Sequence, residues 1–234
     1  MATTKNKLVF NALNLIRGGR QANTEFISER QVGFWVDNTR AKLIRQDLNK
    51  GRTLNSELIQ SLGCVDLEIV DGSECGCVET GCKVVRTALQ IPATIETSYK
   101  NLITRIGPVQ GNQRPWSIIQ YAAIPFTGNN PFTANTIKAA IHNRYVYVIG
   151  PNVELMTKIN IQGVFENPEE VANFITCDGD ACYTNDSPYP IANWMIEDMT
   201  KMILDTDFRV AATAPTDKSA DGSHDVQSIN EPNA

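Results

Sequence analysis

Six cysteines come nearest to a chemical constellation in this chain. Cys75, Cys77 and Cys82 crowd into one short stretch, and Cys64 lies upstream. Four thiolates at close spacing suit tetrahedral zinc, which is usually held by paired C-x2-4-C knuckles. Here the pairing is incomplete, because Cys64 stands alone. Two readings follow for Cys64, Cys75, Cys77 and Cys82: a structural zinc site, or reduced thiols in a loop and a strand. Cys177 and Cys182 form a second pair that could contribute. An even cysteine count points to disulfides in a small secreted domain. A chain of 234 residues with no secretion signal instead favours free thiols or a metal.

Catalytic combinations are sparse. The two histidines are His142 and His224, and the second lies in a polar tail. A Ser-His-Asp or Cys-His device would have to rest on His142 alone, and a structural histidine is the simpler reading. Asp178, Asp180 and Asp186 hint at a calcium loop, but Tyr183 stands at the turn-glycine position and no glutamate closes the loop. Gly18-Gly19-Arg20 fits no phosphate-binding pattern. Asn185-Asp186-Ser187 is a formal glycosylation sequon with no secretory context. The sequence therefore predicts a non-enzyme without a cofactor.

Charge is unevenly spread. The net is −5, yet residues 1–52 hold 10 basic and 4 acidic side chains, and from Glu166 onward there are 14 acids against 3 bases. A basic end and an acidic end suit head-to-tail self-association. Two differently charged solvated faces would read the same way. The acidic total argues against nucleic acid as the main ligand. No apolar stretch approaches the ~20 residues that span a bilayer, and Met1 to Lys7 are too polar for a signal peptide.

The elements that would position these residues fall in three blocks. Leu8, Val9, Ala12, Leu13 and Ile16 predict a helix over Asn6 to Arg17, stopped by Gly18-Gly19. Ser28 and Gln31 make a capping box for a longer helix, with Val32, Trp35, Val36, Thr39, Leu43 and Leu48 on its apolar face and Gly51 at its end. Strands are predicted at 65–70, 83–91, 102–106 and 116–124. A hairpin is predicted from Arg144–Ile149 through Gly150-Pro151-Asn152 to Leu155–Phe165. Residues 133–142 read as a short helix, and Asn167-Pro168-Glu169-Glu170 opens another. A last long helix starts near Ile191, with Met195, Met199, Met202 and Ile203 in a stripe suited to core or to an adaptable protein surface. Beyond Ala211 the composition is that of a disordered tail. The fold class expected is α+β, a long-helix bundle of two N-terminal helices and one C-terminal helix that receives a central β-rich insertion. The parts are residues 1–62, 63–187, 188–210 and a docking tail at 211–234. Val226 and Ile229, the tail's two large aliphatics, are candidate partner contacts, with Arg40 and Arg45 on the long helix.

Two regions carry a resemblance. LVFNALNLIRGG with ISERQVGFWVDNTRAKLIRQDLNKG, and YPIANWMIEDMTKMILDTDFRVAATAPTDKSADG near the end, resemble the opening helices and the last helix with tail of neck adaptor proteins of crAss-like phages. The central CVDLEIVD and GCKVVRTALQIPATI are similar to their β region. The resemblance covers most of the chain, and that family is similar in architecture to tail tubular protein A of short-tailed phages. It implies a homo-oligomeric ring of twelve subunits in the virion neck or tail, made in the host cytoplasm. Its partners would be the portal and the next tail or ring protein, with DNA passing through the lumen without sequence-specific binding. No catalytic residues come with it. The competing readings are a zinc-stabilised binding module and a minor structural virion protein with no ring role.

Overall fold

The fold was analysed from a computed structural model, which describes residues 3–18, 27–72, 83–97, 102–110, 113–127 and 135–210. Two helices open the chain, α1 over Lys5–Ile16 and α2 over Glu29–Asn49. Both start where side-chain oxygens can accept from unpaired amides. Thr4 accepts from the Lys7 N–H, and Ser28 accepts from the Gln31 N–H. The third helix, α3 over Met195–Met202, passes into one wider turn over Ile203–Phe208.

Strands dominate the rest: β1 (Gln60–Ser61), β2 (Val65–Asp71), β3 (Lys83–Thr87), β4 (Ile103–Gly107), β5 (Ser117–Gln120), β6 (Lys138–His142), β7 (Tyr145–Ile149) and β8 (Lys158–Gly163). They form one curled, half-barrel sheet. Its order is β1-β8-β2-β3-β7-β6-β5, and β4 lies on the far side of β8. All pairings are antiparallel except β5 with β6.

The expected long-helix bundle with a β insertion is therefore corrected. The sheet is the frame, and the helices are few. Three local readings change with it. Residues 138–142 form strand β6, where buried Ala139 and Ala140 pack between two neighbouring strands. Alanine favours helix on its own, but burial and cross-strand pairing decide here. The predicted hairpin between 144–149 and 155–165 does not form. Strand β7 turns back on β6 instead, through Asn143 (φ 50) and Arg144 (φ 64). Two successive left-handed residues make the turn whose twist matches antiparallel strands. The last helix begins at Met195 rather than Ile191.

One apolar core runs from the helices into the sheet. It joins Leu8, Val32, Trp35, Val36 and Ile44 to Ile159, Ile161, Phe165, Ile191, Met195 and Met199. The apolar side of α2 faces α3 and the wide turn that follows it. The methionine stripe is core, with Met199 about as enclosed as Ile203.

Candidate interaction surfaces

Where α1 and α2 meet the 3-10 turn Pro168–Asn173 and the segment at Tyr189, the core holds a polar knot. Lys5 is almost fully buried on the inner side of α1. Its Nζ pairs with Asp37 Oδ2 at 2.5 Å and with Glu169 Oε1 at 2.6 Å. Tyr189 donates its hydroxyl to Asp37 Oδ1 at 2.8 Å. Burial pushes the Asp37 carboxyl above its usual value, even though Lys5 pulls the other way. Tyr189 is pushed well above its ordinary value, first by burial and then by the neighbouring Asp37.

Arg40 lies beside this knot and is fully enclosed. Its Nε donates to the Pro190 carbonyl at 2.6 Å and its Nη1 to the Phe165 carbonyl at 2.8 Å, with the guanidinium over the Tyr189 ring. Burial lowers its pKa. Arg40, expected to face a partner, thus holds together three segments of its own subunit. Arg45 is half-exposed and reaches Glu166 at 2.8 Å within the chain. Val226 and Ile229 lie outside the described residues, as do Cys75, Cys77 and Cys82.

Cys64 is not a free thiol. It forms a disulfide with Cys177, with Cα atoms 5.1 Å apart. The bond ties the bend between β1 and β2 to the turn over residues 174–182, which closes on itself through the Ile175↔Ala181 bridge. Gly63 permits this approach, since a Cβ there would sit 2.5 Å from the Ile175 carbonyl oxygen. Cys182 remains a thiol against the same bend, and burial raises its pKa. Among the described residues no group of histidine, cysteine and carboxylate side chains is placed to hold a metal.

The sheet offers an apolar groove of about 430 Å³. Val84 and Val85 of β3, Tyr147 and Ile149 of β7, and Tyr121 and Ile124 of the 3-10 turn after β5 line it. Beyond its rim, Phe126 is 74% exposed and Leu155 81% exposed. His142 stacks on Tyr121 with ring centroids 4.1 Å apart, so this histidine belongs to an aromatic cluster with Tyr147. Among the described residues these arrangements set no nucleophile beside a base.

A family model described as phage tail ring protein 2 of crAss-like phages matches residues 7–226. The chain belongs to that family. No curated protein matches it significantly. The match makes the chain a structural component of a phage tail ring, located in the virion and built as a homo-oligomer. Among the described residues no helix is long and apolar enough to cross a membrane. Sequence reasoning missed Lys5, Asp37, Glu169 and Tyr189, and it did not foresee that Arg40 is buried within the subunit. The available signal was the four-residue spacing of Val36, Arg40 and Ile44, which puts Arg40 on the buried face.

Proposed function

We propose that this ring protein is the adaptor between the portal and the next tail component of a short-tailed phage, built from twelve copies around a channel for DNA. The observation that carries this reading is the family match over residues 7–226. Charge supports the channel. Internal ion pairs at Lys5, Arg45, Arg86 and Arg144 each take a carboxylate with them, so the net charge of −5 stands unchanged. Asp178, Asp180, Asp186, Glu197, Asp198 and Asp205 remain exposed. A wall carrying such carboxylates repels phosphate, so DNA would slide rather than bind. Residues 211–234 serve in this reading as an arm that docks on the portal, with Val226 and Ile229 as apolar anchors. The likeness to tail tubular protein A belongs to the same proposal.

Negative-stain imaging of the purified protein mixed with its portal tests it. Twelve-fold rings seated coaxially on the portal are expected. Rings that never engage the portal, or that show another symmetry, would overturn the adaptor reading.

A further inference from the structure

We propose that β5 is the assembly edge of the subunit: a strand from a second copy of this chain adds along Ser117–Gln120, and that copy covers the apolar groove beside it. The inference rests on the ring reading and names the surface through which the ring closes.

The two ends of the sheet are treated differently by the chain itself. At the β4 end, the Trp116 N–H donates to the Ile106 carbonyl at 2.8 Å. The Arg105 guanidinium reaches the carbonyls of Gln110 and Gln113, and Pro115 lies against Gly107. That end is closed. At the other end, among the described residues, β5 pairs with β6 on one side only. Among the described residues, Ser117–Gln120 make no hydrogen bond outside that ladder.

An unpaired row of amides and carbonyls is a template for another strand, and natural sheets usually blunt it with lysine, proline or a bulge. Strand β5 carries none of these. Its sequence is Ser-Ile-Ile-Gln, the pairing with β6 is regular, and Ile118 is 43% exposed. The chain then runs directly into the groove-lining turn, Tyr121–Phe126. From Ser117 to Phe126 no acidic or basic side chain occurs. The groove adds one base and one acid, Lys83 and Glu154, among its otherwise largely apolar lining, so a partner is held here chiefly by backbone pairing and apolar burial.

A second copy is the occupant that fits. Each subunit of a closed ring meets two copies of itself through two different patches. Pairing of β5 with the neighbour's β5 would instead generate a two-fold dimer, so the added strand comes from another segment of the neighbour.

The test compares the full-length wild type with Ile118→Lys, which places an edge charge, and with Ile118→Val, which keeps strand propensity. Native mass spectrometry reads the assembly and thermal melting reads the fold. Rings are expected for wild type and Ile118→Val, and folded monomers for Ile118→Lys. Hydrogen exchange on the wild type serves where Ile118→Lys fails to fold. Those amides of Ser117–Gln120 that point away from β6 should exchange at least ~100-fold more slowly in the ring than in dilute monomer. Folded Ile118→Lys rings of full mass, or a ring whose outward-pointing β5 amides stay unprotected, overturn the inference and leave the ring reading standing. A two-subunit species lost in Ile118→Lys also overturns it. A wild type that never forms rings removes the ring reading itself, and with it this inference.

Discussion

Lys5 can be buried because two carboxylates meet it, and they are not equivalent. Asp37 is enclosed with it, whereas the Glu169 side chain is 47% exposed and screened by water. Removing the cation alone leaves Asp37 buried beside Tyr189 without its counter-charge. Lys5→Met should therefore destabilise the subunit by about 3–5 kcal/mol. The double variant Lys5→Met with Asp37→Leu should recover much of that loss, because both charges then leave together. Urea unfolding of the single and double variants checks it, and a double variant no more stable than Lys5→Met would refute the coupling. Asp37 also sets a pH dependence. Its folded pKa is raised, so the folded state binds this proton more tightly than the unfolded chain does. The associated stability is fully present below the unfolded value of about 3.8 and is lost as pH rises through the folded pKa. Wild type should thus lose stability relative to Asp37→Asn as pH climbs from about 4 toward neutrality. A difference between the two that stays constant with pH would contradict the burial argument. At this scale the sequence was partly legible. Spacing could have placed Arg40 inward, but nothing local told that Lys5 would meet Asp37 and Glu169, which lie 32 and 164 positions away.

Helices were the elements best read in advance. The start of α2 at Ser28 and its packing on the C-terminal helix both follow from periodicity and capping. Trp35 sits in that shared core, so Trp35→Ala should cost about 3–5 kcal/mol, and a variant that melts at the parent temperature would show that α2 is not anchored there. The hairpin was harder. Its turn uses Arg144 in a left-handed conformation, where glycine or asparagine is the usual signal. Arg144 is held there by its own contacts, donating from Nε to the Ile91 carbonyl at 2.9 Å and from Nη2 to Glu170 at 2.9 Å. The disulfide was also invisible, because its cysteines are 113 positions apart and the spacing argument favoured thiols in a cluster. Closing so long a loop constrains the unfolded chain most. Cys177→Ser should lower stability by roughly 2–5 kcal/mol under oxidising conditions, and the variant and parent should converge once a reductant is added.

The molecule as a whole is a sheet with helices laid against it, and this was the least legible level. Strand β8 pairs with β1, β2 and β4, segments spread over much of the chain. Such pairing leaves no periodic trace in any one window, whereas helical stripes stand out and weight a reading toward a bundle. Charge is different, because it can be followed from sequence to assembly. The basic N-terminal region was expected to meet acidic segments of a neighbour. Within the subunit, several of those cations already have partners: Lys5 on Asp37 and Glu169, Arg45 on Glu166, and Arg52 on Asp47 with its guanidinium over Trp194. Lys7, Arg30, Lys42 and Lys50 are exposed and make no ion pair among the described residues. A charge contact between copies would draw on these. Exposed pairs contribute roughly 0–1 kcal/mol each and are screened over about 10 Å at 0.1 M salt. Rim charges act mainly on encounter rate. Raising salt from about 0.05 to 0.5 M should therefore slow ring assembly by about tenfold or more, while formed rings persist at only modestly reduced affinity. Light scattering after mixing, followed by mass measurement at equilibrium, separates the two effects. Assembly at the same rate in both salts would mean that the basic helices do not face an acidic neighbour. Rings that dissolve fully at high salt would mean that charge, rather than strand pairing and apolar burial, holds the subunits together.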